Sequence, residues 1–230
     1  MHFHLPKPMH GWREFVGEVG IIVLGVLIAL GAEQLIENRH WNHQLELERE
    51  ALREEVIDNL NGVQSRMVLE PCVVRRLDSL GALLRTLRPG QPIRLSTRVG
   101  IPIPNGGAKG AWNIALSSQA AAHMPLREQL EYSNAFDNYA NWDQIRAEER
   151  AAWVRLSLLD VSPSLSEAEL AGLRQAYAEA VAADTRVSNV GAFIFRTANV
   201  GQKPNDFASA EILFKEAGYG SELCQPLKAG

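Results

Sequence analysis

The chain carries one long apolar run near its start, bounded by two carboxylates. Between Glu18 and Glu33 the sequence VGIIVLGVLIALGA has no charged residue, a pattern typical of a membrane-spanning helix or of a helix buried in a protein core. This run alone gives about 21 Å of helix, whereas residues 15–36 give about 33 Å, enough to cross a hydrocarbon layer of about 30 Å. We therefore predict a transmembrane helix over residues 15–36.

Two tryptophans flank this segment. Trp12 and Trp41 would be separated by about 43 Å along a continuous helix, close to the thickness of a bilayer with its headgroups. Tryptophan is enriched where the hydrocarbon meets the headgroups. Both residues are predicted to anchor the helix at the two interfaces.

One face of the predicted span combines small residues with both carboxylates. Helical spacing places the following residues on a single stripe: Glu18, Ile22, Gly25, Ala29 and Glu33. Small residues let membrane helices approach closely, and ionisable residues at membrane depth usually face protein or water. The stripe predicts helix association; the alternative is that both glutamates reach headgroup water and the glycine is incidental.

The basic residues around the span predict its orientation. Lys7 and Arg13 precede it, and the first basic residue after it is Arg39, so the positive-inside rule favours a cytoplasmic leader over residues 1–14. The chain is then expected in a bacterial inner membrane with its C-terminal part in the periplasm. A cleaved signal peptide is a second interpretation, because Ala29-Leu30-Gly31 is a small-x-small site after an apolar core.

The same segment carries a resemblance to a known group of proteins. The pattern W-R-E-F-x-G-E-V-G-I-I-V-L-G-V-L-I-A-L, from Trp12 to Leu30, resembles the N-terminal anchor of uncharacterised bacterial single-pass membrane proteins. In that group a G-E-[IV] start and a G-[IV]-L-I-A-L core precede a helical region outside the cytoplasm. The resemblance covers residues 11–41 and implies an anchor, with no catalytic residues.

Helical periodicity continues beyond the span. Apolar residues recur every three or four positions at Leu45, Leu52, Val56, Leu60, Val63 and Met67, which predicts a juxtamembrane stalk helix over residues 37–70. Pro71 is expected to break it, because proline removes a helical hydrogen bond. A second helix follows with Val73, Leu77, Leu80, Leu84 and Leu87 inward, and is expected to stop at Pro89-Gly90.

The remaining residues complete a predicted helical domain over 71–230. Residues 91–110 are expected to form an irregular loop, with a short strand at Ile93–Thr97. Further helices are predicted over 111–122, in two stretches from Pro125 onward, after a capping box of Ser166 and Glu169, and over 206–217. Core positions are expected at Leu126, Leu130, Phe136, Tyr139, Ile145, Trp153 and Leu156, and at Leu170, Leu173, Tyr177, Val181, Val187, Val190 and Ile194. The fold class is therefore all-α: one membrane helix followed by a helical bundle with an irregular loop.

The two cysteines, Cys72 and Cys224, lie far apart in the sequence. Their spacing excludes CxxC redox and zinc patterns and leaves either two buried thiols or one long-range disulfide. If the domain lies outside the cytoplasm, a disulfide that fixes the C-terminal segment is favoured.

Candidate chemical sites are each outweighed by a structural interpretation. The loop NGGAKG, residues 105–110, lacks the Lys-Ser/Thr pair of a phosphate loop. His40 and His43 have no third metal ligand at a fixed spacing, and Ser117, Ser118 and His123 have no evident carboxylate partner. We therefore predict no catalytic residue, no metal site and no cofactor.

Two further groups are candidates for binding: a set of arginines for anionic headgroups or an acidic partner, and a set of aromatic residues for a ligand pocket between helices. A local basic bias comes from Arg75, Arg76, Arg85, Arg88, Arg94 and Arg98, and a set of aromatic residues comprises Trp112, Tyr132, Tyr139, Trp142 and Trp153. A solvated helix face is favoured for the arginines, and core packing for the aromatics. The net charge of -4 argues against a nucleic-acid partner, which would need a concentrated basic surface.

These patterns predict a membrane-anchored periplasmic protein that acts by self-association or by binding an envelope protein. Its expected partners are the lipid bilayer, a second copy of the chain or another envelope protein. The alternative hypothesis is an envelope hydrolase or small-ligand-binding protein that uses a pocket between helices.

Overall fold

A computed structural model describes residues 11–102, 109–197 and 221–228. The chain divides into two compact units, Met1–Glu48 and Arg49–Gly230. Throughout the described ranges the secondary structure is helical, without strands. This confirms the all-α fold class.

The first helix, α1, runs from Trp12 to Thr86 without interruption. The break predicted at Pro71 is wrong, because Pro71 lies inside this helix. A proline in a helix interior costs one backbone hydrogen bond, or about 3 kcal/mol, and the buried residues that follow it offset this cost, since Val73, Leu77 and Leu80 are at most 5% exposed. The second compact unit accordingly begins at Arg49 and includes most of the segment predicted as a stalk.

Within the first unit, α1 contains the predicted span. An 18-residue window of this helix has a mean hydropathy of 2.4, and none of that window is buried in the chain. Length and composition therefore make it a candidate membrane span.

Four further α-helices are described in the second unit before the C-terminal segment. They are α2 (Gly110–Ser117), α3 (Ala120–His123), α4 (Leu126–Leu156) and α5 (Glu167–Thr197), with a 3-10 turn at Ser157–Asp160 after α4. A last short helix, α6, spans Ser221–Cys224. The two stretches predicted after Pro125 form the single helix α4, and the helix predicted over 111–122 is divided into α2 and α3 by Gln119, which has a positive φ.

Helices α4 and α5 pack against each other and against α1 to form the core. The indole of Trp142 on α4 donates a hydrogen bond to the carbonyl of Val187 on α5. A Cβ on Gly191 of α5 would lie 3.4 Å from both Val63 on α1 and Trp142, so a small residue lets the three helices approach closely. Residues 49 and 66 of α1 meet residues 128 and 149 of α4, so these two helices are parallel, whereas residues 66 and 81 meet residues 184 and 177 of α5, which is antiparallel to both.

Most of the predicted core positions are buried. Leu52, Val56, Leu60 and Val63 on α1 are at most 3% exposed, and all five aromatic side chains expected in the core are at most 9% exposed. The prediction is wrong for Leu126, Leu130 and Val181, which are 69%, 54% and 38% exposed. Leu126 and Leu130 occupy the first turns of α4, and periodicity shows only which residues share a helix face, not whether another element covers that face.

The predicted helix cap and the predicted short strand have different outcomes in the structure. The hydroxyl of Ser166 and the carboxylate of Glu169 form the predicted capping box at the start of α5, with the Ser166 backbone N–H donating to Glu169 Oε2 at 2.8 Å. The strand predicted at Ile93–Thr97 is absent from the described loop, where Pro92 instead forms an isolated bridge to Ser164. The helix predicted over 206–217 and most of the NGGAKG loop lie outside the described residues.

Candidate functional site

The predicted association stripe lies on the first half of α1. Glu18, Ile22, Gly25, Ala29 and Glu33 are all exposed on this continuous helix. A Cβ added to Gly25 would meet no atom of the chain within 4 Å. The stripe is therefore available to lipid or to another protein.

The two predicted interface tryptophans lie on the same helix. Trp12 begins α1 and is 77% exposed. Trp41 is half-buried, and its ring makes an edge-on contact with the imidazole of His40 at 5.7 Å between centroids. The structure thus places one tryptophan on each side of the apolar segment.

The two cysteines form a disulfide, with 4.6 Å between their Cα atoms. Cys72 lies on α1 and Cys224 ends α6, so the bond ties the C-terminal segment to the helical core. The Arg75 guanidinium lies 3.4 Å from Cys72 Sγ. Of the two arrangements left open by the sequence, the disulfide is therefore the one formed.

A buried arginine strengthens this attachment. Arg76 is 1% exposed, and its guanidinium donates to the backbone carbonyls of Arg98 at 2.6 Å, of Gln225 at 2.8 Å and of Glu222. Burial lowers the Arg76 pKa, while Asp160 and Glu222 oppose that shift. Arg76 thus fastens the C-terminal segment and does not belong to an exposed basic face.

A second buried arginine holds the three core helices together. The Nη2 of Arg66 on α1 donates to Glu149 Oε1 on α4 at 2.6 Å and to Asp184 Oδ1 on α5 at 2.5 Å. Its Nη1 donates to Glu70 Oε2 at 2.6 Å, one turn along α1. We call Arg66, Glu70, Glu149 and Asp184 the core charge cluster.

A further guanidinium lies beside this cluster. Arg146 is 6% exposed, and its guanidinium carbon lies 4.5 Å from the centre of the Trp142 ring. Burial lowers the Arg146 pKa, although Glu149 and Asp143 favour its charged form. The cation–π contact offsets part of the hydration free energy that the Arg146 guanidinium loses on burial.

The environment of the core charge cluster shifts the pKa values of Arg66 and Asp184 for different reasons. Burial disfavours the charge on Arg66, but the carboxylates of Glu149 and Glu70 keep its pKa above the ordinary value. Burial and the charge of Glu70 raise the pKa of Asp184 to about 6, although Arg66 opposes this shift. Arg66 is therefore the permanent charge of the cluster, and Asp184 is the group with an altered proton affinity.

Sequence reasoning missed the core charge cluster and the role of Arg76. The members of the cluster are separated by up to 118 positions, so spacing could not connect them. A signal was present, because Arg66 and Arg76 lie on the apolar side of a helix pattern that already included Val63, Val73 and Leu80. A charge on a buried stripe indicates a buried partner.

Surface grooves occur among the described residues of the second unit. One, of about 570 Å³, is lined mainly by apolar residues of α4, α5 and their connection, including Val154, Leu158, Val161 and Leu173. Another, of about 740 Å³, lies between the loop at Leu95–Ile101 and the 3-10 turn, and is more polar. Neither groove is lined by the core aromatics that were candidates for a ligand pocket.

The weaker chemical candidates take part in local structure. The hydroxyls of Ser117 and Ser118 donate to the carbonyls of Ile114 and Ala115 at the end of α2. Within the described ranges, no three His, Cys, Asp or Glu side chains form a group that could hold a metal ion. His40 and His43 lie three residues apart on α1 and belong to no such group.

Comparisons with known proteins add no identification. No protein family, no curated protein and no solved structure matches the chain. The resemblance of residues 11–41 to a group of membrane anchors therefore stays a prediction.

Proposed function

We propose that this protein is a single-pass protein of a bacterial inner membrane, with a cytoplasmic N-terminus and a periplasmic helical domain. It acts by binding, either to a second copy of itself through the span or to another protein of the envelope. The observation that carries the proposal is the exposed apolar half of α1: every residue from Gly11 to His40 is exposed.

Physical chemistry favours a membrane around this segment. Burying apolar surface is worth about 25 cal/mol per Å², and large aliphatic side chains such as Ile21, Leu27 and Ile28 are at least 60% exposed. Water solvates such a helix poorly. Lipid can surround it, because its side chains are apolar and its backbone N–H and C=O groups form hydrogen bonds within the helix.

The disulfide supports the periplasmic side of the proposal. Disulfides persist in oxidising compartments and are rare where thiols are kept reduced. Cys72 and Cys224 belong to the part of the chain that follows the span, and the basic residues before the span favour a cytoplasmic start. Both observations favour export of the helical domain.

Self-association is the form of binding that the span supports most directly. The stripe places Gly25 and Ala29 between two carboxylates, and close helix approach at small residues is a common basis of membrane-helix association. The carboxylates at the ends of the stripe would then be covered by protein instead of hydrocarbon.

Cysteine crosslinking in membranes tests this proposal. The native cysteines are paired, so Ala29→Cys introduces one free thiol on the stripe. Leu27→Cys introduces one at nearly the same depth on the opposite side of the helix. We expect oxidation to produce a covalent dimer at position 29 and little at position 27.

A second pair of variants tests the role of the small residues. In the Ala29→Cys background, Gly25→Leu should reduce the dimer yield several-fold, whereas Gly20→Leu on the opposite side should leave it unchanged. A Cβ added to either glycine would meet no other atom of the chain within 4 Å, so both variants should fold. Equal crosslinking at positions 27 and 29, or none at either, would remove self-association and leave an envelope partner.

A further inference from the structure

We propose that Asp184 is a proton-binding site in the helical core, through which mildly acidic pH tightens the packing of α5 against α1 and α4. This inference goes beyond the proposed binding function and does not depend on it. It rests on the geometry of the core charge cluster.

The cluster and its neighbour contain more carboxylates than guanidiniums. Glu70, Glu149 and Asp184 all contact the single guanidinium of Arg66, while Arg146 and Asp143 beside them carry opposite charges. With every group ionised, the region carries two negative charges in excess, of which that of the partly exposed Glu70 is in contact with water. An uncompensated buried charge is expensive, and a carboxylate relieves it by taking a proton.

Hydrogen bonding identifies Asp184 as the carboxylate that takes it. Glu149 receives two guanidinium bonds, from Nη2 at 2.6 Å and from Nε at 3.4 Å. Glu70 receives one from Nη1, but its side chain is 29% exposed and retains contact with water. Asp184 receives one bond, from the Nη2 that it shares with Glu149, and its side chain is only 9% exposed.

Protonation leaves the existing contacts in place. Oδ1 of Asp184 continues to accept from Arg66 Nη2, while Oδ2 takes the proton and the excess negative charge falls by one, at the most buried position after Glu149. Arg66 retains its pairs with Glu149 and Glu70. The partly exposed carboxylate of Glu70 places solvent within reach of the cluster, so no separate proton channel is required.

The groups around Asp184 come from all three helices. Helix α1 presents Arg66 and Glu70, and α4 presents Glu149 with Arg146 and Asp143 beside it. On α5 itself, Arg186 follows two residues later and pairs with Glu148 at the surface, with both side chains about half exposed. The local charges that act on Asp184 are therefore mainly the two carboxylates and Arg66.

The direction of the effect follows from linkage. The folded-state pKa of Asp184 lies above the ordinary value of 3.8, at about 6, so the folded protein binds this proton more tightly than the unfolded chain. Its contribution to stability is complete below the unfolded pKa and is lost as the pH rises through about 6. Folding of the domain should therefore become more favourable on mild acidification.

The experiment uses the full chain in detergent micelles. Thermal unfolding followed by helical circular dichroism should show the Tm rising by about 2–4 °C between about pH 7.5 and pH 5.5. Asp184→Asn should abolish most of this rise. Asp137→Asn removes an exposed carboxylate on α4 and should retain it.

A direct titration keeps the test decisive if Asp184→Asn does not fold. In the wild-type chain labelled with ¹³C at the aspartate carboxyl carbons, one resonance should titrate near pH 6, about 2 units above an ordinary aspartate. The proposal is overturned if every aspartate titrates below about pH 5, or if Asp184→Asn keeps the full pH dependence of the Tm.

Discussion

Arg66 on α1 and Asp184 on α5 form a buried ion pair across 118 positions of sequence, with Nη2 and Oδ1 2.5 Å apart. The same guanidinium nitrogen also contacts Glu149 on α4. One side chain therefore connects all three helices of the core. Its removal should affect the fold more than the loss of a surface charge.

The first prediction concerns Arg66→Met. The variant leaves Glu149 and Asp184 buried without their cation, and breaking a buried pair in this way costs about 3–5 kcal/mol. Urea unfolding of the full chain in detergent measures the cost. Arg127→Met is the control, because Arg127 pairs with Glu131 at an exposed site and its side chain is 91% exposed; this change should cost at most about 1 kcal/mol. Equal losses in the two variants would contradict a structural role for the cluster.

The second prediction concerns the disulfide. Cys72→Ser should lower the free energy of unfolding by about 2–5 kcal/mol, because the bond closes a long loop in the unfolded chain. A reductant should destabilise the wild-type protein to the same extent in urea unfolding. Reductant should have no effect on Cys72→Ser; a further loss in that variant would indicate that the reductant acts elsewhere.

A third prediction concerns the attachment of the C-terminal segment by Arg76. Arg76→Met removes the donor shared by the carbonyls of Arg98, Glu222 and Gln225. Backbone amides in residues 221–228 should then exchange hydrogen at least several-fold faster, since the segment opens locally more often. Arg85→Met, at an exposed position of the same helix, should leave exchange unchanged. Unaltered exchange in Arg76→Met would show that the segment does not need Arg76, and that the disulfide and the hydrogen bonds of Ser96 and Thr97 to residues 226–228 hold it.

Helix formation and the apolar core were predictable where a regular spacing continues over many turns. Leu52, Val56, Leu60 and Val63 show this on α1, and the capping box of Ser166 and Glu169 marks the start of α5. These signals are local, because a helix face repeats every three or four residues and a cap requires only neighbours.

The failures of sequence reasoning have identifiable physical causes. Local propensity predicts that Pro71 ends a helix, but the packing of Val73 and Leu77 and the disulfide at Cys72 stabilise the helix beyond it. Propensity cannot reveal such tertiary compensation. Leu130 has the right spacing for the core, yet it is 54% exposed, because spacing does not show whether another helix covers the face.

The buried charges were the least predictable part of the candidate sites. The sequence groups Arg76 with exposed arginines, whereas its partners are carbonyls more than twenty residues away. The stripe on the span was visible in the sequence because all of its members belong to one helix. Sites assembled from distant segments require the three-dimensional arrangement.

The most direct test of the membrane-anchored, exported protein is its intact mass under non-reducing conditions, after purification from carbonate-washed membranes through a small C-terminal tag. We predict the mass of the whole chain, allowing for processing of the first methionine, less two hydrogens for the bond between Cys72 and Cys224. A mass that lacks the residues up to about the small-x-small site at Ala29–Gly31, or recovery of the protein only in the soluble fraction, would contradict a retained anchor.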